Sequence, residues 1–280
     1  MAIGLSRLGH RVAWTGCVGD DEFGALVLRT LRAEQVDVSH TRTDTDKRPT
    51  GLLVRKDGFG DLATVRYYRD GSAGSSVRPD DILPALTPGV RVLHLTGITP
   101  ALSPSAAAAV RAAAAHAQEL GVLVCLDVNY RARLWPAGQA RETLLPLART
   151  ADILVASADE LHLVGDDPSL GEQETVAALL AQGRSEVVIT RGGDGASVTS
   201  ADGSVSAPAR LVPVKDVIGA GDAFVAGYLS ALLDDLPVEE RLHRATATGA
   251  FAVTTRGDWE GLPTRADLAL LDSPPGTTLR

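Results

Sequence analysis

Cysteine is scarce in this chain of 280 residues: Cys17 and Cys125 are its two thiols. Both sit inside apolar runs and lack the spacing of a metal-binding pair. They read as core thiols in a reducing compartment rather than as a disulfide framework. Basic residues do not predominate either, with 27 Lys and Arg against 35 Asp and Glu and a formal net charge of -8. No basic patch or arm stands out, which argues against a nucleic-acid partner. An acidic total does not exclude an anionic substrate, because local arginines can outweigh it. No apolar run reaches membrane length. The start, Met1 to Ser6, lacks a basic segment followed by a long apolar one, so the expected location is cytoplasmic. The histidines show no metal-site spacing. Also missing are internal repeats, a Ser-His-Asp or Cys-His arrangement, and the Gly-x-x-x-x-Gly-Lys-Ser/Thr phosphate loop.

What is present suits one large α/β domain or two small ones: 29.2 kDa with 45% hydrophobic residues. Helical patterning covers Ala2–Leu8, Glu22–Ala33, Ser103–Leu120 (with Pro104 in its first turn), Gly138–Ala148, Ala158–Val164, Gln173–Gln182 and Glu239–Val253. Strands are predicted over Arg11–Cys17, Arg91–Leu95, Gly121–Asp127, Ile153–Val155 and Glu186–Thr190. This alternation predicts a doubly wound, mostly parallel sheet. Thr50–Lys56 and Ala63–Arg69 alternate polar and apolar residues around the glycine-rich link Asp57–Asp61, the pattern of a hairpin. Pro274–Arg280 reads as a tail.

The most informative stretch is Asp216–Phe224, Asp-Val-Ile-Gly-Ala-Gly-Asp-Ala-Phe. Two glycines one residue apart precede a carboxylate, Asp222. An apolar run at helical spacing follows (Phe224, Val225, Tyr228, Leu229, Leu232, Leu233), read here as an amphipathic helix. Backbone amides at such a helix start can cradle a phosphate, and the helix field favours an ionised Asp222. A carboxylate beside an anion nest suits attack by a hydroxyl on a phosphoryl group. An ordinary turn with Asp222 as a helix cap fits the same residues.

Four further stretches carry chemistry. Alternation in Tyr67-Tyr68-Arg69 puts Tyr67 and Arg69 on one face of a strand and Tyr68 on the other. Asp127-Val128-Asn129-Tyr130-Arg131, followed by Leu134-Trp135, ends a probable inner strand, where open α/β sheets place ligands. There Arg131 can grip a carboxylate in bidentate fashion or pair with a local acid such as Asp127. Ser157-Ala158-Asp159-Glu160 follows an apolar strand. Thr190-Arg191-Gly192-Gly193-Asp194-Gly195 is a glycine-rich turn after a strand, suited to a close nucleotide or to a simple hairpin.

Asp-x-x-Gly-Ala-Gly-Asp-Ala-Phe resembles the signature of the ribokinase-like, or PfkB, family of carbohydrate kinases. The resemblance implies an α/β, ribokinase-like three-layer sandwich with a central mostly parallel sheet and a small β-sheet lid. It implies a single domain over residues 1–280, with residues 36–72 contributing the lid. By it Asp222 matches the catalytic base, which also touches the substrate, and Gly219, Ala220 and Gly221 match the anion hole. Thr190, Gly192 and Gly195, with Gly219 and Gly221, match positions beside ATP. Ser157 and Glu160 match a network around Mg²⁺ and phosphates that acts through water, without a direct protein ligand for Mg²⁺. Asp216 and Ile218 match positions associated with a monovalent cation such as K⁺. Ala247–Ala250 resembles the wall beside adenine, and Thr255–Thr264 the closing region.

Tyr-Tyr-Arg-x-Gly-Ser-Ala-Gly and Asp-x-Asn-x-Arg-x-x-Leu-Trp resemble the 2-keto-3-deoxygluconate kinases within that family. There Tyr67, Arg69 and Arg131 match substrate-binding positions, and Asn129 shapes the pocket. Leu53 departs from the pattern, standing where some relatives have a tyrosine. Gly16–Gly24 resembles an early motif at the edge of the sugar pocket. The opening strand and Gly-Gly-x-x-x-Asn segment expected before it are not in this sequence, which a misplaced start or a true truncation would explain. The resulting expectation is ATP-dependent phosphorylation of a small sugar acid, with Mg²⁺ and in a homo-oligomer. A neutral-sugar kinase and a sugar-acid-binding protein of weak activity are the competing readings.

Overall fold

The computed structural model describes residues 1–57 and 63–272. The predicted link beyond Asp57 and the predicted tail lie outside the described residues. In chain order the helices are α1 (Ala2–Arg7), α2 (Glu22–Ala33), α3 (Pro79–Ile82), α4 (Pro104–Glu119), α5 (Ala137–Ala148), α6 (Glu172–Ala181), α7 (Ala220–Leu233), α8 (Val238–Val253) and α9 (Arg265–Leu268). The strands are β1 (Gly16–Gly19), β2 (Thr41–Asp44), β3 (Leu52–Asp57), β4 (Ala63–Tyr68), β5 (Val92–Thr96), β6 (Leu123–Asp127), β7 (Ile153–Ser157), β8 (Glu186–Thr190), β9 (Ala196–Ser200) and β10 (Gly203–Ala207). Among these helices none is long and apolar enough to cross a membrane. The chain divides into two compact units. One gathers Met1–Val12, Glu34–Val36 and Ser185–Arg280; the other gathers Ala13–Ala33 and Asp37–Arg184.

In the larger unit β5, β6 and β7 run parallel, in register Val92↔Leu123 and Cys125↔Ile153. Val124, Cys125, Leu126, Ile153, Leu154 and Val155 are buried, as expected for strands covered on both faces. Helix α4 packs on β5 and β6. Its alanines 106, 109, 113 and 117 are fully buried, and small side chains there let the helix lie close. Ser103 caps it by accepting the Ala106 amide at 3.0 Å, and Pro104 occupies its first position. The predicted hairpin forms as antiparallel β3 and β4, with Leu53 opposite Tyr67. The first strand lies later than predicted, at Gly16–Gly19 rather than Arg11–Cys17, because it pairs in parallel with β2, a polar strand whose Thr-Arg-Thr-Asp pattern gave no apolar signal. The segment from Ala158 to Leu163 is a 3₁₀ helix.

Two carboxylates, half-buried Asp21 and buried Asp44, fix the root of the β3–β4 hairpin. Asp21 accepts the Thr50 amide at 2.7 Å, the Thr50 hydroxyl at 2.7 Å and the Gly24 amide at 2.8 Å. Asp44 is fully buried. It accepts the Asp46 and Arg48 amides, the Ser76 hydroxyl and the Arg48 guanidinium. Where the hairpin leaves, the Ala73 amide donates to the Pro49 carbonyl at 2.8 Å, closing the root.

The smaller unit is built on the antiparallel meander β8–β9–β10. Helix α8 packs on β9 and β10 and against α7, and α1 packs on α7. Helix α7 is not amphipathic as predicted: every residue from Ala223 to Ala231 is buried. Gly227 makes the α7–α8 approach possible, since a Cβ there would lie 2.5 Å from Thr248 Oγ1 and 2.7 Å from the Arg244 carbonyl. A buried network ties both helices to the sheet. The Tyr228 hydroxyl donates to Glu186 at 2.6 Å, and Arg241 donates to the other Glu186 oxygen at 2.7 Å. Burial, reinforced by Glu186, pushes the Tyr228 hydroxyl well above the ordinary tyrosine value.

Burial alone would raise the Asp44 carboxyl. The hydrogen bonds from Arg48, Ser76 and the Asp46 amide outweigh it and hold the group at about 2, below the ordinary 3.8. Its stabilisation is therefore complete above pH 3.8 and is lost as the pH falls toward 2. Asp44→Asn should lower stability at pH 7 by about 1–3 kcal/mol, the cost of leaving buried donors unmatched. The difference from the parent in thermal melts should shrink steadily below pH 4. A gap independent of pH between 2 and 7 would contradict this account.

Candidate active site

The sequence reading places its phosphate-side residues in the smaller unit, where the chain turns into α7. Gly219 is the residue before the helix and has φ 78°, in the left-handed region. A Cβ on it would lie 2.5 Å from the Asp258 carbonyl oxygen, so glycine is required on two counts. Asp216 is buried and braces this turn. One of its carboxylate oxygens accepts the Ile218 amide at 3.1 Å, and the other accepts the Gly257 amide at 3.2 Å. The Lys215 amide donates to Val253 O at 2.7 Å, adding a second tie to the same segment.

The amides of Gly221 and Asp222 belong to the first turn of α7 and have no helix carbonyl four residues back. Nothing lies within 4 Å of where a Gly221 side chain would start. The helix start is therefore open to an approaching anion at the end that favours negative charge. Asp222 is partly exposed in that first turn. Burial raises the neighbouring Asp258 carboxyl above the ordinary value, and the negative charges of Glu260 and Asp222 push it the same way. Asp258 thus joins the electrostatic surroundings of Asp222, a link that the sequence reading left unassigned within the closing region.

The glycine-rich turn joins β8 to β9 and is a hairpin, with Thr190 opposite Ala196. The Arg191 amide donates to Gly195 O at 2.8 Å. Gly195 has φ 97°, and a Cβ there would lie 2.1 Å from the Ala207 carbonyl, so this glycine serves the close β10 approach. Gly192 and Gly193 have nothing within 4 Å of an added side chain, which leaves their backbone approachable. On α8, Ala247, Thr248 and Ala250 are buried, and Gly249 lies beside Ala220 and Phe224, where an added Cβ would make ordinary contacts at 3.6 and 3.8 Å.

The sugar-side residues fall in the larger unit. Asn129 follows β6 with φ 40°, a left-handed value that asparagine tolerates better than most residues. Its amide nitrogen donates to Asp127 at 3.2 Å, while its buried side-chain oxygen has no partner. Glu160 fixes the loop that follows. One carboxylate oxygen accepts the Tyr130 amide at 2.6 Å, and the other accepts the Ser157 amide at 2.9 Å. Sequence reading put Ser157 and Glu160 near phosphates; the bonds present make Glu160 the brace of the Arg131 loop.

At the end of β4, Tyr67 and Arg69, the residue just past the strand, are both half-buried and Tyr68 is exposed, as alternation predicts. The Arg69 guanidinium lies 4.6 Å from the centre of the Tyr67 ring. Burial lowers the Arg69 guanidinium below the ordinary arginine value; Tyr67 opposes this and the Arg131 charge adds to it. Arg69 and Arg131, 62 positions apart in the chain, therefore feel each other's charge. Arg131 donates to its neighbour's carbonyl, Tyr130 O, at 3.0 Å, rather than to Asp127. Leu53 is exposed and offers no hydroxyl. No group of three His, Cys, Asp or Glu side chains placed to hold a metal occurs among the described residues.

Comparison with known proteins shows the family and the fold. The model of the pfkB family of carbohydrate kinases matches residues 1–265. The chain belongs to the PfkB family. It is an ATP-dependent carbohydrate kinase with the ribokinase-like α/β sandwich fold, a parallel core sheet and a smaller β-sheet lid. Among the family's curated members, it is 34% identical to 2-dehydro-3-deoxygluconokinase of Bacillus subtilis over 273 residues, covering 96% of this chain and 83% of that protein. It is 38% identical to the enzyme of the same name from Thermoproteus tenax, covering 93% and 79%. It is also 34% identical to a probable chloroplastic fructokinase-6 of Arabidopsis thaliana, covering 95% and 71%. The fructokinase of Vibrio cholerae, solved with fructose, ADP and calcium ion, superposes with a TM-score of 0.82 at 29% identity, covering 96% of this kinase and 88% of that chain. A double mutant of that fructokinase was solved with fructose, ADP and potassium ion.

Gly219→Ala tests the turn of this kinase. The substituted residue must hold a left-handed φ and displace the Asp258 backbone. We expect a loss of roughly 2–3 kcal/mol in stability, read by thermal melting, because strain and collision add. Gly221→Ala, which meets nothing within 4 Å, should melt close to the parent. Equal melting of the two variants would contradict the assignment.

Proposed function

We propose that this kinase transfers the γ-phosphoryl group of ATP to the 6-hydroxyl of 2-keto-3-deoxygluconate, or of a closely related sugar acid, giving the 6-phosphate. The observation that carries the proposal is the pair Arg69 and Arg131. Two guanidiniums from different elements sit within electrostatic reach, one of them stacked on Tyr67 and held partly out of water. Like charges collected in this way are costly without an anion between them, and a carboxylate is the planar partner that suits two guanidinium forks. A neutral sugar gives them nothing to neutralise. The Bacillus subtilis and Thermoproteus tenax relatives carry names that fit this reading.

In this reading Asp222 accepts the proton of the attacking hydroxyl. The open amides at the start of α7, framed by Gly219, Ala220 and Gly221, hold the charge of the transferring phosphoryl group. Thr190, Gly192 and Gly195 lie along the nucleotide, and Ser157 and Glu160 keep the sugar-side loop in shape. Tyr67, Arg69, Asn129 and Arg131 hold the sugar acid. Fixing its carboxylate end restricts the orientation of the substrate. Mg²⁺ fits as an ion carried by ATP phosphates and water rather than by a resident protein cage. It would neutralise phosphate charge. K⁺ would be held at the loop that Asp216 braces, with Asp216 and Ile218 as the residues that would hold it.

A neutral-sugar kinase is the second reading, favoured by the likeness to the Arabidopsis fructokinase and by Leu53. A coupled assay over sugars and sugar acids separates the two. Arg131→Ala should raise KM for 2-keto-3-deoxygluconate by about 10–100-fold, the loss of one charge-assisted pair, and leave any fructose rate unchanged. Asp222→Asn should lower kcat by about 10²–10⁴-fold with little change in KM, as for loss of a general base. Equal rates with fructose, ribose and 2-keto-3-deoxygluconate, with no response to Arg131→Ala, would overturn the sugar-acid reading.

A further inference from the structure

Arg133 stands two residues beyond Arg131, in the same loop. That loop is firmly held. Glu160 takes the Tyr130 amide at 2.6 Å, the Leu134 amide donates to Arg131 O at 2.8 Å, and the Tyr130 hydroxyl donates to Trp135 O at 3.2 Å. Trp135 itself is buried. From this fixed base the Arg133 guanidinium reaches out and donates to the backbone carbonyl of Val65 on β4 at 2.7 Å. Val65 lies on the strand that carries Tyr67, two residues further on, and that leads directly into Arg69, four residues on.

We propose that Arg133 is a positioning residue: it latches the β4 strand to the Arg131 loop, so that Arg69 and Arg131 stand as one anion clamp before substrate arrives. Three observations support it. The β3–β4 hairpin consists of two strands among the described residues, so a strand edge is available for a side-chain donor. The hairpin's root is fixed by Asp21, Asp44 and the Ala73–Pro49 bond, but those ties act at its base and leave its strands to be placed by other contacts. Closing β4 on the loop brings Arg69 under the charge of Arg131, an unfavourable approach that needs a compensating bond. A cation donating to a carbonyl is among the stronger bonds available, and Val65 O is a main-chain acceptor that no side-chain substitution on β4 removes. Arg133 makes no contact with the sugar acid in this account; it acts through the separation of two groups that do. Its catalytic meaning rests on the sugar-acid reading, whereas the latch itself does not.

The test combines hydrogen exchange with kinetics on Arg133→Gln, Arg133→Lys and Arg131→Ala, each in the full chain. In the protein without ligands, Arg133→Gln should speed exchange of the β4 amides by about fivefold or more, because local opening becomes easier. Arg133→Lys, which keeps one cationic donor, should restore part of the protection. Arg131→Ala, which removes the repulsion of Arg69 and keeps the latch, should exchange no faster than the parent. With 2-keto-3-deoxygluconate, Arg133→Gln should raise KM about tenfold, as for loss of a charge-assisted bond, with kcat at saturation within about twofold, the pattern of lost ground-state positioning. Parent-like β4 exchange in Arg133→Gln would overturn the latch. Faster exchange with an unchanged KM would overturn its positioning role. Should Arg131→Ala leave KM for the sugar acid unchanged, the sugar-acid reading fails separately, and the exchange data still decide the latch.

Discussion

In the function proposed above, two arginines that repel one another set the terms for the sugar side of this kinase. Arg69 is partly withdrawn from water and feels the charge of Arg131, and both effects disfavour its charged form. An arrangement of that kind persists only if the surrounding structure holds it. The Tyr67 ring offers its face to Arg69, and Glu160 pins the Arg131 loop through the Tyr130 amide. Arg133 ties that loop to β4. Asp21 and Asp44 then secure the base from which the hairpin projects. Each of these carboxylates is satisfied by backbone amides, hydroxyls or neighbouring arginines.

The phosphate side is organised by a different constraint, the need to expose helix amides on a rigid support. Helix α7 is buried from Ala223 to Ala231 and locked to α8 at Gly227. Its far end is tied to the sheet through Tyr228 and Glu186. The helix cannot retreat from an anion at its start, and Asp216 fixes the turn that leads into it. Preorganised dipoles of this kind contribute most where they need not move during the reaction.

Much of this was legible in the sequence because it depends on residue types with narrow alternatives. Gly219 must be glycine where φ is positive and the Asp258 carbonyl is close. Tyr67 and Arg69 share a face because a strand alternates. The covered strands β6 and β7 announced themselves as apolar runs. What escaped the reading lacks such a signature. Strands β2, β9 and β10 are rich in Thr and Ser and are defined by pairing rather than by hydrophobic pattern. Helix α7 was read as amphipathic because its largest apolar residues recur at helical spacing, yet the small residues between them, Ala226, Gly227, Ser230 and Ala231, are buried as well. The bonds of Glu160 to the Tyr130 and Ser157 amides were not legible, because no sequence pattern reveals a backbone partner. Arg133 was passed over for the same reason: its partner is a main-chain carbonyl 68 positions away.

The central claim is that the sugar is chosen by its carboxylate. The most direct measurement compares binding of 2-keto-3-deoxygluconate with that of 3-deoxyfructose, the same carbon skeleton with the carboxylate reduced to an alcohol, by titration calorimetry at low and high salt. The account predicts that the sugar acid binds more tightly by about 10–100-fold at low ionic strength, as expected for a charge-assisted pair partly shielded from water, and that added salt narrows the gap. Equal affinities at every salt concentration would contradict it.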